Sequence, residues 1–248
     1  MINKIKTAQE AVAGVKDGMT IMVGGFLATG SPEILMDALV EKGVKHLTVI
    51  GNDGGLDVGQ PAGPFAGKTA RGIGKLLENH MVDHIIASHI GVNPKINEQV
   101  EEGTLRYTLV PQGTLAEKIR AAAYGLGGIL TPTGVGTPME EGKQILEWDE
   151  SKGEYKFVKG DDPENGKRFL LETPLRGDVA LIHAWKADKI GNVQYHRTAR
   201  NFNQIFATAA DFVIVEAEQI VEVGDMKNFK DKGYKIEDYK GDLLMPTF

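Results

Sequence analysis

The sequence contains no cysteine among its 248 residues. This excludes disulfides, thiolate nucleophiles and cysteine-based zinc sites. The absence of cysteine is also compatible with a reducing compartment. No apolar run approaches the roughly 18 residues that a membrane-spanning helix needs. The first ten residues, MINKIKTAQE, lack the apolar stretch of a secretion signal. We expect a soluble, cytoplasmic protein with no membrane partner.

Positive charge is also scarce. Lys and Arg number 28 against 34 Asp and Glu, which gives a formal net charge of −6. A protein that neutralises nucleic-acid phosphates needs a basic surface, so we expect no nucleic-acid partner. Hydrophobic residues make up 42% of the chain and charged residues 25%, an ordinary globular composition that excludes disorder for most of its length.

Glycine, in contrast, is abundant, with 31 residues, and it follows many of the apolar runs. Short strands are predicted at 19–23, 46–50, 82–88 and 105–110, and they alternate with helices. Helix starts are signalled by capping patterns at Thr7, Ser31-Pro32, Asn93-Pro94 and Thr114. This alternation predicts an α/β fold with an open, mostly parallel sheet covered by helices.

After about residue 128 the pattern changes to strands, including a hairpin around residues 151–153 and a strand at 212–215, with a helix predicted at 202–210. We expect a single domain over residues 1–248. Two segments look inserted, a Gly/Pro-rich one at 54–74 and a polar one at 149–168, and residues 225–248 form a polar, variable tail.

The stretch DGMTIMVGGFLATGSP at 17–32 is the most informative. A strand is predicted to end at the pair Gly24-Gly25, and a helix to begin at Pro32. Backbone amides there could face an anionic phosphate or carboxylate, assisted by the positive end of the helix dipole. A plain strand-to-helix turn explains the same residues on physical grounds alone.

This stretch resembles the signature of the family I CoA-transferases, in which a D-G pair, apolar residues, G-G-F and G-x-P occur at this spacing. The resemblance continues through most of residues 1–224, in the segments IASHIG (86–91), PQGTLAEKIR (111–120), TPTGVGT (131–137), WKAD (185–188) and ARNFN (199–203). It is strongest to the α subunits of the bacterial acetate or butyrate/acetoacetate type.

The resemblance implies a short-chain acyl-CoA:carboxylate CoA-transferase, in which coenzyme A is a substrate and no metal or redox cofactor takes part. It implies that a glutamate of a β subunit, in a Ser-Glu-Asn-Gly context, is the nucleophile and becomes a glutamyl-CoA thioester. It also implies an obligate heteromer, commonly α2β2, and no catalytic residue in this chain. The expected substrate- and CoA-binding residues are Gly24, Gly25, Phe26, Leu27, Ala28, Thr29, Gly30 and Gln112.

Gln112 enters this set because it follows a predicted strand and precedes a predicted helix, like the glycine pair. Turns at the carboxyl ends of parallel strands form the ligand crevice of an open sheet. A Gln amide there could orient an acyl carboxylate, or it could simply cap the turn.

Three other patterns are interpreted as structural. The nearest match to the nucleophile motif is Pro163-Glu164-Asn165-Gly166, which we interpret as a polar turn. The segment 63–69 is one residue short of a phosphate-binding loop and has Ala62 in place of the first glycine. The histidines at 80, 84 and 89 fall on different predicted elements and are not expected to bind a metal.

Two rival functions remain open at this point. A sugar-phosphate isomerase would also hold an anion at glycine turns, and it would need an internal carboxylate base near the crevice. A sensor domain would bind an acyl-CoA or sugar phosphate without turnover.

Overall fold

A computed structural model describes residues 4–56, 70–158 and 166–227 of the chain. Six α-helices lie in these residues: α1 Ala8–Val12, α2 Glu33–Lys42, α3 Ile73–Glu78, α4 Pro94–Glu101, α5 Gln112–Ala123 and α6 Asn203–Phe206. The eleven strands there are β1 Thr20–Val23, β2 Leu47–Ile50, β3 Val82–Ala87, β4 Arg106–Leu109, β5 Ile129–Thr131, β6 Ile145–Asp149, β7 Glu154–Val158, β8 Arg168–Glu172, β9 Gly177–Asp188, β10 Val193–Gln194 and β11 Ala210–Val221. No helix among the described residues is long and apolar enough to cross a membrane.

The larger sheet confirms the predicted parallel architecture. Its order is β10-β9-β1-β2-β3-β4, and β11 pairs with β9. All neighbours in it are parallel except β10, which runs antiparallel to β9. Because parallel strands end at the same edge, the loops after β1, β2 and β3 lie side by side.

The central strands β1, β2 and β9 are buried on both faces, which explains why they are largely apolar. In β1, Ile21 and Val23 belong to a core cluster that includes residues of α1 to α4. Met22, between them, belongs to a second cluster with residues of α5 and α6. The period-two alternation of a strand thus divides the core into two layers.

The strand-rich part after residue 128 forms a separate antiparallel sheet of order β5-β8-β6-β7. The predicted hairpin is confirmed, because β6 and β7 pair antiparallel from Ile145 to Asp149. The 149–168 segment is therefore not simply a polar insertion: its described part supplies β7 and begins β8. In the described parts of the 54–74 segment, the backbones of Leu56 and Arg71 exchange two hydrogen bonds.

The local signals at helix starts had mixed outcomes. The capping box of Thr7 and Glu10 is present, with hydrogen bonds of 2.9 and 3.2 Å. The helix start predicted from the capping pattern at Thr114 was wrong, because α5 begins two residues earlier, at Gln112. Thr114 is instead a buried residue within the helix. Tertiary packing, and not the local capping pattern, therefore sets the start of α5.

The last elements also differ in length from the sequence prediction. A helix was expected over 202–210, but α6 ends at Phe206. The strand expected at 212–215 extends over all of β11, because it pairs with β9 along twelve residues. Long-range pairing sets this length, and no local sequence pattern reports it.

Candidate functional site

The glycine-rich loop of residues 24–30 joins β1 to α2 at the carboxyl edge of the larger sheet. Its first residue still belongs to the ladder, because the Gly24 amide donates to the Leu181 carbonyl of β9 at 2.9 Å. The predicted strand, glycine loop and helix are all present. The loop therefore opens where ligands bind in parallel sheets.

The centre of the loop is a tight two-residue turn. Phe26 and Thr29 exchange both backbone hydrogen bonds, at 3.0 and 2.9 Å. The two residues between them, Leu27 and Ala28, have φ angles of 46° and 64°. Positive φ at both central positions is the signature of a type I′ turn, which Asn and Gly favour. Here Leu and Ala occupy it, so the loop holds backbone strain of roughly 1–3 kcal/mol per residue.

A buried carboxylate fixes this turn from the neighbouring strand. Asp53 follows β2 and is 5% exposed. Its Oδ2 accepts hydrogen bonds from the Leu27 amide and from Asn52 Nδ2, both at 2.8 Å. Its Oδ1 accepts from the Gly55 amide at 2.9 Å. Asp53 therefore joins the loop after β2 to the loop after β1.

Two asparagines fix the other side of the loop. Asn201 Nδ2 donates to the Thr29 carbonyl at 2.9 Å, and Asn203 Nδ2 donates to the Gly30 carbonyl at the same distance. Asn203 is fully buried, and its Oδ1 accepts from the His183 amide of β9 at 2.8 Å. Both asparagines belong to the ARNFN segment, which thus acts as a support for the glycine loop.

Two of the glycines are required by close approach. A Cβ added to Gly24 would lie 1.8 Å from Asn203 Oδ1. Gly25 has a φ of 126°, and a Cβ there would lie 2.2 Å from Ser31 Oγ. A Cβ at Gly25 is thus obstructed within this chain, by the backbone conformation and by Ser31.

Three amides of the loop donate to no acceptor among the described residues, those of Gly25, Ala28 and Gly30. Gly25 and Ala28 are buried. Buried amides without partners are rare in folded proteins, because an unmade hydrogen bond costs free energy. Such donors can stabilise negative charge that develops on an oxygen atom.

The amino end of α2 is occupied by a carboxyl group of this chain. Glu216 of β11 accepts hydrogen bonds from the Ile34 and Leu35 amides, at 2.8 and 3.0 Å. Burial raises the pKa of this carboxyl, although the two amide bonds oppose the shift. The positive end of α2 therefore already holds a carboxylate of the chain itself.

Gln112 is brought next to the glycine loop. It is the first residue of α5, and its Nε2 donates to Asn52 Oδ1 at 2.5 Å. Asn52 in turn donates to Asp53, which holds Leu27. The two turns that the sequence singled out are thus linked through side chains of the loop after β2.

The remaining predicted site residues lie on the same loop with different exposure. Phe26 is exposed, at 43%, and Thr29 is also exposed, whereas Leu27 is half-buried. A small cleft of about 10 Å³ lies beside them. It is lined by Val23, Gly24, Gly25, Ser31, Asn52, Asp53, Gly55 and Ile73.

Asn52, Asp53, Asn201 and Asn203 were not assigned a role from the sequence. Asn52 and Asp53 carried a usable signal, because they lie in the loop after a parallel strand, a position similar to that of Gln112 after β4. The two asparagines lie more than 170 residues after the loop they hold. No local pattern indicates that contact.

Of the three clustered histidines, His89 adjoins the site through its backbone, because the Gly54 amide in the loop after β2 donates to the His89 carbonyl at 3.1 Å. His84 lies in β3, where its Nε2 is 2.9 Å from Thr108 Oγ1. Burial, with a smaller contribution from Arg106, lowers the pKa of His84. Within residues 4–56, 70–158 and 166–227, no group of three or more His, Asp and Glu side chains is placed to hold a metal ion. The metal-free interpretation stays a prediction.

Two motifs weighed in the sequence lie outside the described residues. They are the segment 63–69, similar to a phosphate-binding loop, and Glu164 of the Pro-Glu-Asn-Gly match. Arg71, next to the first of them, is described, and its Nε lies 3.3 Å from Glu33 Oε1.

Comparisons with known proteins agree with this arrangement. The Coenzyme A transferase family model matches residues 5–230. The acetate CoA-transferase subunit alpha of Escherichia coli K12 is 45% identical over 227 residues, which cover 92% of this chain and 90% of that protein. The acetoacetyl-CoA:acetate/butyrate CoA transferase alpha subunit of Clostridium acetobutylicum is 41% identical and covers 93% of each chain.

A solved structure supports the fold. Glutaconate coenzyme A-transferase from Acidaminococcus fermentans superposes with a TM-score of 0.69 at 20% identity, covering 92% of this chain and 71% of that one. The family model spans both the glycine loop and the ARNFN segment that supports it. The chain belongs to the coenzyme A transferase family.

Proposed function

We propose that the chain is the α subunit of a short-chain acyl-CoA:carboxylate CoA-transferase of the acetate, butyrate and acetoacetate class. Relatives named for these substrates are 41–45% identical over more than nine-tenths of the chain. The observation that carries the proposal is the strained loop of residues 24–30, in which the Gly25 and Ala28 amides donate to no acceptor among the described residues.

The chemistry proposed for the complete enzyme begins on a partner β subunit. A glutamate carboxylate of that subunit attacks the thioester carbonyl, the C–S bond breaks, and an acyl-glutamyl anhydride and CoA thiolate form. The thiolate then attacks the glutamyl carbonyl, which releases the free acid and leaves a glutamyl-CoA thioester. The acceptor acid reverses these steps. Each attack places negative charge on a carbonyl oxygen.

The loop amides of this chain are suited to that charge. Fixed backbone donors cost no reorganisation when the oxyanion forms, and each typically contributes about 10²–10³ in rate. The exposed ring of Phe26 adds apolar surface beside them. Gln112 and Asn52 supply amide groups that can orient a carboxylate near the same edge.

A second chain is supported by the relatives, which are named as the alpha subunits of CoA-transferases. We therefore propose that the pocket is completed by the β subunit, in an α2β2 assembly, with coenzyme A as substrate and no metal or redox cofactor.

Reconstitution tests this function. The purified chain alone is expected to show no exchange of CoA between acetoacetyl-CoA and acetate or butyrate. The same chain mixed with a β-type subunit that contains Ser-Glu-Asn-Gly is expected to show it. Turnover by the isolated chain would contradict the assignment of the nucleophile to the partner. Binding of a sugar phosphate with no exchange in any mixture would favour the isomerase or sensor alternatives.

A further inference from the structure

Asp53 is not among the binding residues expected from the sequence, yet it holds the centre of the glycine loop. Its Oδ2 is 2.8 Å from the Leu27 amide, although it belongs to the loop after a different strand. We propose that Asp53 is a positioning residue for acyl transfer, which keeps Leu27 and Ala28 in the left-handed turn. This inference rests on the proposed function.

The turn needs an external support because its own residues oppose it. Leu27 and Ala28 both have positive φ, and neither is Gly or Asn. A left-handed conformation costs a residue with a Cβ roughly 1–2 kcal/mol relative to the right-handed one. Two such residues in succession persist only when the surrounding structure fixes them.

A carboxylate suits this position better than an amide would. Three donors converge on Asp53: the Leu27 amide, the Gly55 amide and Asn52 Nδ2. Both carboxylate oxygens are used, and hydrogen bonds to an ionised acceptor are the stronger kind. An Asn at this position would direct its own NH₂ group at one of these donors, so at least one bond would be lost.

The consequence reaches the donors proposed to bind the oxyanion. The peptide group between Leu27 and Ala28 carries the Ala28 amide, and its orientation is set by the dihedral angles of Leu27. Releasing the Leu27 amide from Asp53 lets this peptide turn away. Because oxyanion stabilisation depends on donor placement, transfer slows while substrates still bind.

The experiment measures Asp53→Asn in two loop backgrounds, each as the reconstituted complex. In the native loop, we expect kcat to fall by about 10²-fold, the loss typical of one displaced oxyanion donor. The KM values for acyl-CoA and free acid should change by less than about threefold, since ground-state contacts remain. In a Leu27→Gly/Ala28→Gly loop, which tolerates positive φ unaided, the same substitution should cost less than about tenfold.

Asp188 provides the matched control. It is also buried, and its Oδ1 accepts from the amides of Ile190, Gly191 and Asn192 in the turn that joins β9 to β10. Asp188→Asn removes a similar acceptor. We expect it to lower the melting temperature and to leave kcat per assembled complex unchanged.

The other outcomes decide against the inference. Equal losses in the two backgrounds, or no loss in the native loop, would overturn it. Failure of Asp53→Asn to co-elute with the partner in both backgrounds would also overturn it, because Asp53 would then be needed for folding and not for the turn. Co-elution of Asp53→Asn with the partner in the Leu27→Gly/Ala28→Gly background, but not in the native loop, would support the inference. A wild-type complex without exchange would overturn the proposed function, and this inference with it.

Discussion

At the scale of single residues, the site depends on backbone conformations that ordinary side chains resist. Leu27, Ala28 and Asn201 all have positive φ within one small region. Arg197, in the short helical turn that precedes Asn201, does too. Strain of this kind clusters at functional sites, because the rest of the fold must be stable enough to enforce it. The loop is therefore held by its neighbours and not by its own propensities.

Gly25→Val tests whether the loop conformation matters for transfer. The penalty for positive φ is roughly 1–3 kcal/mol, small beside the stability of a domain this size. The added Cβ displaces the Ser31 hydroxyl, 2.2 Å away, and with it the loop. We expect a folded chain that co-elutes with its partner but exchanges acyl groups at least about 10²-fold more slowly.

Gly14→Val is the control for that substitution. Gly14 has no heavy atom within 4 Å of an added Cβ, and its φ is not positive. Its exchange rate should equal that of the wild type. Normal exchange in a well-folded Gly25→Val complex would show that residues 24–30 are a structural turn only. The site would then have to lie elsewhere on the carboxyl edge, with Gln112 the next candidate.

At the scale of elements, a buried ion cluster joins the small sheet to the larger one. Glu172 of β8 is 3% exposed and contacts Lys118 of α5 at 2.7 Å and Lys143 at 2.5 Å. Burial alone would raise the pKa of this carboxyl. The hydrogen bonds from the two lysines outweigh it and hold the pKa below its ordinary value of 4.5.

This shift predicts a pH-dependent contribution to stability. Because the pKa is lowered by folding, the contribution is complete above pH 4.5 and is lost as the pH falls through the folded value. Glu172→Gln should therefore reduce the free energy of unfolding at neutral pH by about 1–3 kcal/mol, allowing for the partial exposure of the lysines. The difference from wild type should shrink towards roughly pH 4 and below.

Urea unfolding of wild type and Glu172→Gln, at neutral pH and at roughly pH 4, measures the difference in the free energy of unfolding. Glu117→Gln is the control, since Glu117 pairs with Arg120 on the exposed surface of α5 at 2.5 Å. That exposed pair should contribute little to stability, because solvent screens it. A Glu172→Gln loss as small as that of the control, or one that persists unchanged in acid, would show that the cluster does not hold the two sheets together.

At the scale of the whole molecule, the question is which chain carries the nucleophile. The carboxylates near the glycine loop that the structure describes are engaged: Asp53 with three donors, Glu216 with two amides, and Glu33 with Lys75 and Arg71. This agrees with a nucleophile supplied by a partner. Glu164 lies outside the described residues and is the nearest match in sequence to the expected motif.

Glu164→Gln separates the two possibilities. We expect the reconstituted complex to keep exchange within about twofold of wild type, because most substitutions away from a site have small effects. The matching Glu→Gln change in the Ser-Glu-Asn-Gly motif of the β subunit should abolish exchange. A loss of about 10³-fold from Glu164→Gln would instead identify this residue as the nucleophile.

The sequence by itself determined the fold class and predicted where the candidate site lies. Alternating strands and helices, the glycine pair after β1 and Gln112 after β4 all report local preferences, and parallel strands bring such turns to one edge by geometry. The resemblance to CoA-transferases rested on short segments that the family model spans.

Only the tertiary structure decided what holds the site in place. Asp53 reaches Leu27 across 26 residues, Asn203 reaches Gly30 across 173, and Glu216 reaches the start of α2 across 182. The length of β11 and the start of α5 were set in the same way. These contacts depend on which elements become neighbours in the folded sheet, and local propensity carries no information about partners that distant in the chain.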